Sequence, residues 1–209
     1  LSALSEPAFV PTDTHWSQAG ARAMAMAVKT GIDTLYPNLE LSRKKVSTTT
    51  RDKPKTHHGD LLDFIPTFAA AKPAGNTVQY YQTEVAALPP IAAVDAPDDA
   101  DSDEGANADL GMDDLFGDEV IDVTLIGTSY SAQEDWHFEG FLKQALQTDI
   151  LNLADEGQGP FAPMEKFIES LPSLQNKPKL VIWEFPERYL PRLDKEAPKT
   201  SAEDKKETS

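Results

Sequence analysis

Cysteine is absent from the 209 residues, which excludes disulfides, thiolate metal sites and a cysteine nucleophile but does not separate oxidising from reducing compartments. Positive charge is scarce. The 19 Lys and Arg stand against 35 Asp and Glu, a formal net charge of −16, which argues against nonspecific nucleic-acid binding and adhesion to anionic membranes. No apolar run approaches the roughly 20 residues that span a bilayer. No secretory signal pattern is visible, and the chain holds no internal repeat. It opens at Leu1 rather than Met, and a helix follows almost at once. A preceding segment, with any anchor or export signal, is therefore expected to have been removed.

What is present can fold. Hydrophobic residues make up 40% of the chain, with 3 Trp and 9 Phe, enough for one sizeable core or for one core carrying a large loop insertion. Ser17 is placed as the N-cap of a helix over 17–35, ended by Pro37. Ala21, Met24, Val28, Ile32 and Leu35 fall on one side of that helix; Gln18, Arg22, Lys29 and Asp33 fall on the other. The stretch "LSRKKVSTTTRDKPKTHHGD" reads as a polar, basic loop, "GDLLDFIPTF" as a short helix, and 76–85 as a strand or hairpin. Residues 94–119 combine many acids with small residues and no Lys or Arg, the composition of a mobile acidic insertion. Beyond it "VIDVTLIG" is a buried strand, "WHFEGFLKQALQ" a helix, "ILNLADEG" a strand, "PMEKFIESLP" a helix, "KLVIWEFP" a strand and "ERYL" a helical turn. This alternation predicts an α/β domain over 1–193, a parallel sheet flanked by helices on both faces, with a disordered tail over 194–209.

The chemistry gathers at two stretches. In "PTDTHWSQAG" Asp13 and His15 sit on the loop entering the first helix. Alone, such a pair reads as a helix cap and a packed imidazole. In "LIGTSYS" Ser129 follows a buried strand and precedes a helix, the position where α/β sheets gather active sites. It partly matches the G-x-S-x-G nucleophile elbow, with Ser131 in place of the second glycine. That stretch alone reads equally as a Ser-rich helix cap. Together Ser129, His15 and Asp13 make a Ser-His-Asp set recognised by role rather than chain order. His57 and His58 read as solvated loop residues without a spaced carboxylate partner. His137, eight positions after Ser129, is a weaker base because no acid is placed to orient it. A metal on Asp13 and His15 would need further ligands that the sequence does not supply. Arg43, Lys44, Lys45, Arg51, Lys53 and Lys55 form the one concentrated basic stretch.

"TDTHWS", "GTSYS" and "WEFPERYL" together resemble the alginate O-acetyltransferase family of the AlgJ and AlgX type, over about residues 10–190. The resemblance implies an SGNH-hydrolase-like domain in which Asp13, His15 and Ser129 are the catalytic triad. The order of those motifs, reversed from ordinary SGNH hydrolases, matches the circular permutation of this group. It also implies transfer of acetyl through acetyl-serine onto hydroxyls of an exported polysaccharide such as alginate. The alternatives are a carbohydrate acetyl esterase and a noncatalytic scaffold of a polysaccharide-secretion complex. The implied partners are the polysaccharide acceptor, a membrane acyltransferase supplying the acetyl group, and other secretion proteins; nucleic acid, cofactor and metal are not expected. The implied location is the periplasm, any inner-membrane anchor lying in a segment absent from this chain. The usual SGNH oxyanion Asn has no counterpart, leaving Gly157 or Gly159 as backbone donor beside Ser129, and Tyr130 and Arg188 as oxyanion or substrate groups. Each glycine reads also as a tight turn, and Arg188 also as a surface ion pair. Trp16 and Trp136, one beside each motif, are expected to shield the site or stack on a sugar, with core packing as the other reading.

Overall fold

The structure is a computed structural model that describes residues 4, 6–42, 45–65, 74–87, 121–174 and 176–192. The acidic insertion 94–119 and the tail 194–209 lie outside the described residues. At its centre is a three-stranded parallel sheet in the order β6-β5-β7, formed by β5 (Val123–Ile126), β6 (Ile150–Asn152) and β7 (Leu180–Trp183). All four residues of β5 are buried. Side chains alternate across a strand, so Val123 and Leu125 on one face, and Thr124 and Ile126 on the other, mean that both faces of β5 are covered. Its β-branched, apolar run is what makes this strand legible.

Helix α1 (Gln18–Leu35) begins where the sequence places it. The Ser17 hydroxyl accepts from the Gly20 amide at 3.1 Å and donates to the Pro7 carbonyl at 2.5 Å. Gly20 is needed here, because a Cβ would come within 2.0 Å of the Ala8 carbonyl oxygen. The expected apolar face holds only in part. Ala21 and Ala25 are buried, whereas Met24 and Leu35 are exposed and Gln18, assigned to the solvent side, is 3% exposed. The first half of α1 packs against the domain, and the Gln18 amide donates to the Asp135 carbonyl at 2.7 Å.

Among the described residues three further α-helices follow β5: α2 (Ser129–Ala132), α3 (Phe138–Leu146) and α4 (Ala162–Ser170). Phe138, Phe141 and Leu142 of α3 join Trp16, Ala21, Ala25, Val123, Leu125, Trp136 and Ile150 in the main core. α3 begins at Phe138 and not at Trp136, because His137 adopts a left-handed φ of 58° as the preceding 3-10 turn ends. The strand expected over "ILNLADEG" stops at Asn152.

The basic segment is not simply a loop. It forms β1 (Lys45–Arg51) and β2 (Lys55–His57). The 76–85 region supplies β3 (Asn76–Val78) and β4 (Tyr81–Ala87), which do not pair with each other as a hairpin. β4 runs antiparallel to β1, from Lys45 opposite Ala87 to Arg51 opposite Tyr81, and β3 pairs antiparallel with β2. Thr49 and Thr83 share a hydroxyl hydrogen bond of 2.7 Å across β1 and β4, a cross-strand pair that polar strands use in place of apolar contact. Lys45 lies 3.4 Å from Asp149, and Arg51 3.6 Å from Glu6, so these basic residues face local acids. Among the described residues no helix is long and apolar enough to cross a membrane.

Candidate active site

The carboxyl end of β5 turns sharply through Gly127 and Thr128 into Ser129. A Cβ on Gly127 would lie 2.6 Å from Glu184 Oε2 and 2.9 Å from Ser131 Oγ, so glycine is the residue that fits. Glu184, at the end of β7, buttresses the turn. Its Oε2 accepts from the Thr128 amide at 2.9 Å, from the Thr128 hydroxyl at 3.1 Å and from the Ser131 hydroxyl at 2.9 Å. Burial nevertheless raises the Glu184 carboxyl above its ordinary value, because desolvation penalises the charged form. Asn152, from β6, donates to the Ser131 carbonyl at 2.9 Å. All three strand ends thus hold the serine turn.

The arm bearing Asp13 and His15 reaches this turn from the chain's start. The Phe9–Trp16 bridge, the Val10 amide donating to the His15 carbonyl, and the Asp13 amide donating to the Val10 carbonyl fold it into a tight bend. Gly59 lets the following segment lie against it, since a Cβ there would be 1.9 Å from the Thr12 carbonyl oxygen. Tyr130 clasps the arm to the serine turn: its hydroxyl donates to the Thr14 carbonyl and accepts from Arg188 Nη1 at 2.9 Å. Burial raises the Tyr130 phenol further above its usual value, keeping it the donor.

The resulting chain of atoms is continuous. His15 Nδ1 lies 2.6 Å from Asp13 Oδ1, and His15 Nε2 lies 2.8 Å from Ser129 Oγ. A carboxylate can only accept, so Nδ1 carries the proton and Nε2 accepts from the Ser129 hydroxyl. The His15 amide also donates to Asp13 Oδ1, at 2.9 Å. Asp13 and His15 are 7% and 8% exposed. Burial by itself pushes the Asp13 carboxyl up. Hydrogen bonds from His57, from the His15 amide and ring, and from the Asp60 amide outweigh it and bring the value down from 3.8 to about 2.

Several expectations change. His57 is no solvated loop residue: its Nε2 lies 2.7 Å from Asp13 Oδ2, with its side chain only 16% exposed. A partner 44 positions away is invisible to a search for spaced carboxylates. His58 does lie exposed, 3.6 Å from Asp63. His137 hydrogen-bonds Thr83 at 2.7 Å beside Tyr81 and Phe141, and burial lowers its imidazole below the usual value. Arg188 donates to Tyr130, and among the described residues it makes no ion pair. Gly157 and Gly159 have φ of 71° and 69° in the turn before α4. Among the described residues neither shares a hydrogen bond with the serine turn. Trp136 is 1% exposed, stacked on His15 at 5.2 Å, and Trp16 is 7% exposed between Tyr130 and Phe138; that burial fits core packing.

Sequence reasoning missed Asp60 and Glu184 as well as His57. Asp60 accepts from the Thr14 amide at 2.8 Å and the Thr14 hydroxyl at 2.5 Å. Asp13, His15 and Asp60 offer ligand-type atoms within 4.8 Å of one another, but their oxygens and nitrogens are engaged in the hydrogen bonds just described. The serine turn contributes to two hollows. Tyr130 lines an apolar one of about 550 Å³ with Trp16, Phe138, Ile182 and Trp183. Ser131 and Gln133 line a polar one of about 560 Å³ with Tyr80, Asp135 and His137.

The chain is similar to several known proteins. The "Probable alginate O-acetylase AlgJ" of Azotobacter vinelandii is 39% identical over 183 residues, covering 88% of this chain and 42% of that protein. The "Alginate biosynthesis protein AlgX" of Pseudomonas putida is 44% identical over 87 residues, 41% of this chain and 18% of that protein. The chain therefore spans less than half the length of the curated relatives it matches. Among solved structures, the O-acetyltransferase domain of Pseudomonas putida AlgJ superposes with a TM-score of 0.67 at 32% identity, over 89% of this chain and 55% of that one. Pseudomonas aeruginosa AlgX gives 0.63 at 27% identity, over 87% and 38%. The fold is thus the SGNH-like α/β fold. Because residues 2–187 match the family described as "SGNH hydrolase-like domain, acetyltransferase AlgX", the chain belongs to that family.

Proposed function

We propose that this chain is the catalytic domain of an O-acetyltransferase acting on hydroxyls of an exported polysaccharide, alginate being the acceptor the relatives' names suggest. The observation that carries the reading is the unbroken Asp13–His15–Ser129 hydrogen-bonded chain at a strand's carboxyl end. A serine hydroxyl is a weak nucleophile until a base takes its proton. His15 Nε2 takes it as Ser129 Oγ attacks the acetyl carbonyl, and Asp13 stabilises the imidazolium and fixes its tautomer. In this proposal the Ser129 amide donates to the developing oxyanion; such a donor is worth roughly 3–4 kcal/mol in other enzymes. The tetrahedral intermediate expels the donor's leaving group, which takes the proton back from His15. A sugar hydroxyl then loses its proton to His15 and attacks acetyl-Ser129, and the acetylated sugar leaves as Ser129 regains its proton.

Water in the sugar's place gives acetyl-ester hydrolysis from the same site, so slow esterase turnover without acceptor belongs to the proposal. The donor side would be served by a membrane acyltransferase, the acceptor side by a periplasmic secretion assembly. Residues 1–193 would act as one catalytic unit.

The test is mass spectrometry after incubation with an activated acetyl ester. One acetyl group should appear on the peptide carrying Ser129, and none in Ser129→Ala. Addition of oligouronate should speed turnover and yield acetylated sugar with ping-pong kinetics. Normal turnover in Ser129→Ala would refute the assignment. Fast hydrolysis with no acetylated sugar would leave an esterase.

A further inference from the structure

We infer that His57 is a positioning residue for the His15–Ser129 pair: its Nε2–H holds the second oxygen of Asp13 and thereby keeps the first on His15. This rests on the proposed reading of Asp13, His15 and Ser129.

The two oxygens of Asp13 have separate duties. Oδ1 receives both the amide and the ring N–H of His15, at 2.9 Å and 2.6 Å. Oδ2 receives His57 Nε2 at 2.7 Å and the Asp60 amide at a longer 3.3 Å. A buried carboxylate rotates until both oxygens are satisfied, and an N–H directed at an ionised oxygen makes a strong bond. His57 therefore sets the rotation that aims Oδ1 at His15. Its bond is also the largest of the effects that lower the Asp13 carboxyl to about 2 against the upward push of burial.

His57 is itself fixed. It is the last residue of β2, opposite Asn76 in β3. Gly75 lets β3 come close, since a Cβ there would be 2.4 Å from the His57 carbonyl oxygen. The His57 ring stands edge-on to Trp136 at 5.1 Å and 75°, while the same indole stacks flat on His15 at 5.2 Å and 16°. Trp136 thus spaces the two imidazoles on either side of one carboxylate. Without His57, Oδ2 keeps one long amide bond, and a buried acceptor short of a partner is costly. Asp13 then swings or takes up a proton, and a neutral acid cannot stabilise the imidazolium that forms as Ser129 attacks.

The experiment compares His57→Ala and His57→Gln, each in the native and in the His15→Ala background, with an activated acetyl ester as substrate. His57→Ala should lower kcat by about 10–100-fold, the cost seen when the partner orienting a metal-bound histidine is lost, and leave KM nearly unchanged. His57→Gln, whose amide N–H reaches Oδ2, should recover most of that loss. In the His15→Ala background His57→Ala should add nothing, because the two act through one chain of bonds. Carbon-13 NMR of the Asp13 carboxyl gives a readout without catalysis: its titration should rise in His57→Ala and remain low in His57→Gln. Equal losses in both backgrounds, a glutamine variant no better than alanine, or an unmoved Asp13 titration would each overturn the inference. Should Ser129→Ala keep its turnover, the catalytic reading fails, while the Asp13 titration still decides whether His57 holds the carboxylate.

Discussion

Replacing Asp13 by Asn removes a charge while keeping nearly the same volume, and its cost should depend on pH in a calculable way. The carboxyl is held at about 2 in the folded chain against 3.8 ordinarily. At about 1.4 kcal/mol per pH unit this corresponds to roughly 2 kcal/mol of stability. The folded value is the depressed one, so the contribution is fully present above about pH 4 and is lost as pH falls through about 2. An asparagine contributes none of it at any pH. Its rearranged hydrogen bonds to His15 and His57 add an offset of another origin, so the diagnostic quantity is the change in the gap between the two proteins. Urea unfolding at a series of pH values measures it, provided the two denaturant slopes agree. The gap should be flat from neutral pH to about pH 5 and then shrink by roughly 2 kcal/mol on approaching pH 2. A gap that stays constant down to pH 2 would show that the hydrogen bonds around Asp13 do not favour its ionised form, and the reasoning would fail.

Two further perturbations test the scaffold. Leu142 is 0% exposed within the core, and Leu142→Ala should lose about 2–5 kcal/mol in urea unfolding. Gly20→Ala should destabilise by roughly 1–3 kcal/mol although alanine is the better helix former, because its Cβ would strike the backbone of Ala8; an unchanged or raised Tm would contradict this.

Legibility tracked how local the determining physics was. Ser17 as helix cap and β5 as a doubly covered strand were readable because a hydroxyl ahead of a helix and a β-branched apolar run each act within a few residues. The Asp13/His15 and Ser129 motifs were readable by their residue types, and role and resemblance together paired them across the 114 positions that separate His15 from Ser129. β1 was hidden because "KVSTTTR" has no apolar alternation and holds its register through threonines and a distant partner strand. α1 was misread on one face because its end leaves the body: Val28 still packs against the core, whereas Leu35 is 71% exposed. His57 was misjudged because its neighbours in sequence are polar, whereas its neighbours in space are Asp13 and Trp136.

The clasp between Tyr130 and Thr14 has a consequence for the order in which activity is acquired. Every strand that shapes the serine turn lies between Val123 and Trp183, so that turn depends on relatively near contacts that close early. His15, the proposed base, lies on a segment over a hundred positions away, and the entropy of closing so long a loop must be offset before it docks. On the proposed reading, a refolding chain is expected to pass through a stage with Ser129 in place but chemically silent. Ester turnover followed during refolding times the docking of the N-terminal arm, and should lag behind the recovery of secondary structure.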